Sequence, residues 1–252
     1  MRTPRLMIPR RSVLMGAALG LGLAAQGQPL WADEGGEAGE GAAIAGLPET
    51  VEFLTLLGLF EAQHRIVAAL YAAGEVEAAQ AHLAESHHAA YDDIEAGIAA
   101  TGVPKFEDEA ESFATAVTSG ADAAAVQAAA DVVLAALDAV RHSTGDEDKM
   151  KAAEALLRVA ASDMEAGVEN GQVTLAQEYR DAWGFATVAQ LWLDDLAADA
   201  NPTVAEAAKA ALSGRADVEA QFAGVGASAA PGDPGALLAA AARVELSAYR
   251  LE

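Results

Sequence analysis

The chain has 252 residues, with 38 acidic against 15 basic side chains, a net charge of −23 and no cysteine. The missing cysteine excludes disulfides, thiolate metal sites and thiol nucleophiles. So acidic a balance repels nucleic acid and anionic lipid, and it leaves basic proteins and metal ions as charged partners, with plain solubility as the blander use.

Residues 1–32 read as an export signal. Arg2, Arg5, Arg10 and Arg11 form a basic start, Ser12 to Ala25 is apolar and rich in Gly and Ala, and a short polar stretch leads to Ala32. The apolar run falls short of the roughly 20 residues of a membrane helix. Arg10-Arg11-Ser12-Val13-Leu14 resembles a twin-arginine signal, with the general secretory route and an uncleaved anchor as alternatives. Cleavage after Ala32 removes four basic and no acidic residues, which moves the net charge from −23 to −27. The expected location is periplasmic, with no mature transmembrane segment, since Val51 to Phe60 is apolar but short and is interrupted by charges at Glu52 and Glu61.

Residues 33–47 read as a flexible acidic, Gly-rich leader. Residues 48–252 carry helical periodicity with helix punctuation. Helices are expected over 48–73, 75–101, 107–118, 121–142, 147–170, 174–198, from 202 fading near 224, and from 234 to about 250. Gly74, Gly102, Gly120 and Gly171 mark ends, and Pro202 and Pro234 mark starts. No alternating strand pattern is evident. The fold class is all-α, an up-and-down bundle of seven to eight helices in one lobe or two. Wheel placement predicts one stripe of Phe53, Leu57, Phe60, His64, Val67 and Tyr71, and another of Leu83, His87, Tyr91, Ile94 and Ile98. The helix over 174–198 is apolar on two sides and is expected at the centre.

Four of the five histidines lie in the first helical hairpin. Glu61-Ala-Gln-His64 and Glu85-Ser-His-His88 have the spacing of di-iron carboxylate bundles, whose ligands all project inward. The wheel turns Glu85 toward water, which weighs against that reading. It favours instead His64 and His87 as inward imidazoles at nearly one level, with Glu61, His82 and His88 at the flanks. Glu61, His64, His82, His87 and His88 are therefore the candidate metal ligands, for iron ahead of copper or zinc. The alternative is core histidines bonded to Tyr71 and Tyr91. Glu165, Glu178 and Asp181 form a second acidic region whose simplest role is to favour a helix start, with a second carboxylate cluster for a cation as the functional alternative. No phosphate loop or nucleophile elbow is present, and no enzymatic activity is expected.

The stretch Met164-Glu165-Ala166-Gly167-Val168, then Asn170-Gly171-Gln172-Val173, Glu178-Tyr179 and Phe185, resembles the extracytoplasmic helical region of bacterial iron permeases of the FTR1 type. The chain is also similar to imelysin-like periplasmic iron-uptake proteins, although their Gly-x-His-x-x-Glu motif is absent. The resemblance implies metal handling near a membrane-bound permease and does not locate the site. The expected function is metal binding or delivery. The alternative is a metal-free acidic adaptor for a basic or membrane-bound partner.

Overall fold

A computed structural model describes residue 41, residues 43–86, residue 88 and residues 90–251. The export signal expected over 1–32 lies outside the described residues. Those that are described form an all-α bundle. The helices are α1 (Glu49–Ala72), α2 (Val76–Glu85), α3 (Asp92–Thr101), α4 (Glu107–Thr118), α5 (Ala123–His142), α6 (Asp146–Gly167), α7 (Ala176–Ala197), α8 (Pro202–Ala211) and α9 (Pro234–Ala248). A 3-10 turn at Leu212–Gly214 and a helical turn at Arg215–Glu219 follow α8. Helix starts are fixed by local chemistry. The side chains of Asp122, Asn201 and Asp233 each accept a hydrogen bond from a backbone N–H of the first turn.

The most extensive packing is between α6 and α7, with α8 against α7 and α9 against α6 and α8. These four helices make one bundle. Helix α1 lies against α6 and α7, and α2, α3 and α5 pack around it, with α4 filling between α2 and α5. From Leu54 to Tyr71 almost every side chain of α1 is buried. It therefore shares the central place expected for α7 alone. Ile44, inside the expected leader, is also buried in this core.

Two elements differ from the sequence expectation. The helix expected over 75–101 is broken into α2 and α3, with Ser86 extended at φ −73°, ψ 121°. The break gives Asp92, Asp93 and Glu95 a helix start of their own, where the macrodipole favours acids. A continuous helix would hold them in its interior. Serine and histidine are indifferent helix formers, so little opposes the break. One wheel cannot span it. Tyr91, Ile94 and Ile98 are buried as expected, but on α2 the buried residues are Ala79 and His82, and Leu83 is only half-buried.

The second difference is a small sheet where none was expected. After α6, Val168–Glu169 pairs antiparallel with Gln172–Val173, in register Val168 to Val173. Asn170 at φ 51° and Gly171 at φ 78° form the two-residue turn. Both central residues with φ above zero define the type I′ hairpin that Asn-Gly favours. The dipeptide read as a helix stop is thus a hairpin turn. A Cβ on Gly171 would meet only ordinary contact with the Ala230 carbonyl at 3.7 Å. The cost of Gly171→Ala is therefore conformational, about 1–2 kcal/mol, and urea unfolding should show a loss of that size.

Helices α1 and α5 are each long and apolar enough to cross a membrane, which the reading of Val51 to Phe60 alone did not anticipate. For α1 that hydropathy is matched by burial inside the bundle, whereas α5 leaves most of its surface outside.

Candidate functional site

Four of the five candidate ligands, Glu61, His64, His82 and His88, lie among the described residues, and they divide between two surroundings. Glu61 is buried and fully engaged. Its Oε1 accepts from Arg65 Nε at 2.8 Å, and its Oε2 accepts from the Trp192 indole at 2.9 Å. His64, one turn on, packs against Phe60 and Phe113, with ring centroids 4.4 Å and 4.8 Å away. Its Nδ1 lies 2.8 Å from the Phe60 carbonyl, and since a carbonyl only accepts, Nδ1 carries the proton. Burial lowers the His64 pKa to about 4, with that hydrogen bond offsetting only part of the effect. His64 is thus a neutral ring lodged between aromatic side chains.

His82 sits elsewhere, on the face of α2 turned to α7. It is completely buried, and its Nε2 is 3.6 Å from Asp181 Oδ1. Burial lowers its pKa to about 4, aided by the positive charge of Arg180 and by His88, while Gln177 works the other way. The ring is therefore neutral at pH 7, and its contact with Asp181 is not an ion pair. Neither ring nitrogen makes a hydrogen bond of normal geometry; Gln177 lies near enough to favour the proton but outside that geometry.

Asp181 is held from both sides. Gln63 Nε2 on α1 donates to its Oδ1 at 2.6 Å, and Gln177 Nε2, one turn back on α7, donates to its Oδ2 at 3.2 Å. His88 meets the edge of Phe185 with ring centroids 5.6 Å apart. Asp181 and Phe185 are four residues apart on α7 and so share a face. Asp163, completely buried on α6, adds a further carboxylate nearby in height. The backbone of Gly167 abuts Tyr179, so four residues back along the antiparallel helix Asp163 lies within about 3 Å of the level of Asp181.

The structure thus brings His82 and His88 to one face of α7 and leaves Glu61 and His64 on other contacts. His87 lies outside the described residues, so the pairing of His64 with His87 is not described. Glu85 is exposed, as the wheel expected, and the paired Glu-x-x-His reading gains no inward carboxylate from it. Among the described residues, no group of three or more His, Asp or Glu side chains is arranged to hold a metal ion as it stands.

Gln63 and Asp163 are not among the candidate ligands and Asp181 enters only through the second acidic region, yet each carries a signal. Asp181 extends the apolar stripe Phe185, Val188 and Trp192 by one turn. Gln63 does the same for Ile66 and Leu70, and Asp163 falls between Ala160 and Gly167 on a buried face. A polar residue in register with a buried stripe is the informative kind.

The α6–α7 approach that sets these heights depends on Gly167. A Cβ there would stand 2.7 Å from the Tyr179 backbone nitrogen and 3.1 Å from its Cα. Backbone cannot swing aside as a side chain does. Gly167→Ala should therefore cost about 2 kcal/mol, seen as a lower urea midpoint.

Residues 141–248 match the family described as the iron permease-associated 4-helix bundle domain. The span holds α6, α7, α8 and α9, the four helices that pack as one bundle. It also contains the Met164 to Val173 and Glu178-Tyr179 stretch that carried the permease resemblance. No curated protein and no solved structure matches the chain.

Proposed function

We propose that this is an exported, extracytoplasmic helical protein that binds or delivers a metal ion, iron ahead of copper or zinc. It would work beside a membrane-bound iron permease and catalyse no reaction of its own. The match of residues 141–248 to a permease-associated bundle carries the reading. Two further features support it: a histidine-rich first hairpin packed against that bundle, and a net charge of −23 that attracts cations. Purified chain, loaded anaerobically with Fe(II) and desalted, should retain metal by elemental analysis. Retention no better than an acidic control protein removes metal handling. Export is checked by N-terminal sequencing of the protein from the periplasmic fraction, with a start at Asp33 expected.

A second reading is a metal-free acidic adaptor docking a basic or membrane-bound partner. It is favoured by the exposed Leu246 and Tyr249 on and just after α9. Capture of the permease that persists in chelator would select it over metal delivery.

A further inference from the structure

We propose that the cleft between α7 and the segment 218–224 docks an extended, proline-bearing peptide of a partner protein, with one proline ring seated between Trp183 and Phe222. This goes beyond the metal-handling reading above and does not depend on it.

One wall of the cleft is a face of α7. Trp183, Thr187 and Gln190 follow one another at spacings of four and three residues and so share that face. Val218, Phe222 and Gly224 close the other side, around a volume of about 200 Å³. This second wall is fixed in place. The phenol of the buried Tyr179 accepts from the Ala223 N–H at 3.1 Å and donates to the Gly224 carbonyl at 3.0 Å, and the Tyr179 and Phe222 ring centroids lie 6.0 Å apart. A wall formed in advance spares a ligand the cost of ordering it.

Gln190 is the informative residue. Only 8% of it is exposed, yet its side-chain amide has no hydrogen-bond partner among the described residues. A buried amide normally has one. The Trp183 indole N–H, in the same cleft, likewise has none among the described residues. Thr187 adds little, because its hydroxyl already donates to the Trp183 carbonyl at 2.7 Å. The one charged side chain of the lining, Glu219, is matched by Arg215 at 2.6 Å. The cleft therefore offers two aromatic walls, one N–H donor and one amide, with its charge balanced.

Those features select the occupant. The volume is below the roughly 300–1,000 Å³ of sites that enclose whole small molecules, and it suits a single ring. A balanced charge gives little hold on an ion. A sugar brings many hydroxyls to only two waiting polar side chains. A proline in an extended strand brings an apolar ring for the aromatic walls. Its strand also brings solvated backbone carbonyls that accept from the Trp183 and Gln190 N–H groups.

The probe is a polyproline peptide of about ten residues, or three turns of that helix. It is uncharged along its length, so the acidity of the protein does not attract it. It is titrated into isotope-labelled full-length protein in the presence of chelator. The indole N–H resonance of Trp183, identified by its loss in Trp183→Phe, should shift, and that of the buried Trp192 should not. Trp183→Phe keeps an aromatic wall and removes the donor, Gln190→Leu removes the amide, and Phe222→Ala removes the opposite wall. Each should weaken binding about tenfold, read by fluorescence anisotropy of labelled peptide, whereas Tyr249→Ala should bind as the parent does. Far-UV circular dichroism identifies any variant that fails to fold, and Trp183→Phe, at a half-buried position, then decides alone. If folded Trp183→Phe and Gln190→Leu bind as the parent does, or the Trp183 resonance stays fixed at the highest peptide concentration, the site is wrong. If maltotriose moves that resonance and the peptide does not, the cleft is a sugar site and the proposal fails. Chelator is present throughout, so failure of metal handling would leave this result unchanged.

Discussion

Trp192→Ala should lower the unfolding free energy by about 5 kcal/mol, most of what holds a typical domain together. Trp192 is fully buried on α7 and joins three helices. Its indole N–H donates to Glu61 on α1, and its ring lies 5.5 Å from the Arg141 guanidinium carbon at the end of α5. Arg141 is in turn tied to Asp195 at 2.5 Å. Removing the ring opens a cavity worth about 3–5 kcal/mol. It also takes a donor from the buried Glu61 carboxylate, which adds about 1–3 kcal/mol. Trp192→Phe separates the two terms, because it refills most of the cavity and still lacks the donor. Its expected loss is about 1–3 kcal/mol. Urea unfolding followed by far-UV circular dichroism measures both variants. A loss under about 1 kcal/mol for the alanine variant would mean that Trp192 does not join these helices.

The second large effect is acid lability. His64 and His82 are held neutral by burial, each with its pKa lowered from 6.5 to about 4. In the unfolded chain both bind a proton near pH 6.5. Between pH 6.5 and 4 the unfolded state therefore carries more protons than the folded one. Stability is full above pH 6.5 and declines as pH falls through that window. Each histidine removes about 2 kcal/mol by pH 5, at about 1.4 kcal/mol per pH unit. For His82 the shift is set by burial first, then by Arg180, Gln177 and His88, whereas His64 is buried against Phe60 and Phe113. His64→Leu isolates one contribution, since leucine suits the aromatic slot and takes up no proton. Its stability loss between pH 7 and pH 5 in metal-free buffer should be about 2 kcal/mol smaller than the parent's. Equal losses would show that His64 is not held neutral.

The helices were readable because their periodicity and punctuation are local. Gly74 ends α1, Pro202 and Pro234 open α8 and α9, and Glu107 to Thr118 forms a helix as the spacing predicts. The break between α2 and α3 was not readable, because a wheel assumes continuity and Ser86 is only a mild interruption. The break also bears on the candidate site, because an unbroken helix sets His82 on a flank, whereas it is wholly buried. The polar partners were hidden for another reason. Gln63, His82 and Asp181 lie far apart in sequence and meet only once α1, α2 and α7 have packed. Spacing rules report neighbours on one helix, so a cluster shared by three leaves only single polar residues in apolar stripes.

The central position of α1 also has a consequence in time. Its polar contacts with α7 are to residues much later in the chain: Gln63 meets Asp181 across 118 residues, and Glu61 meets Trp192 across 131. The α6–α7 hairpin, closed by a two-residue turn, has short-range pairings and can form early. Forming α1's contacts requires closing long loops first, which slows folding compared with a bundle built from neighbours. Although α1 precedes the other named helices in the chain, it is among the last of them to find its place. Until then its apolar sides are open to self-association, a hazard of late-closing cores. Refolding from urea should accordingly show α1 docking as the slow step, with aggregation rising as protein concentration rises.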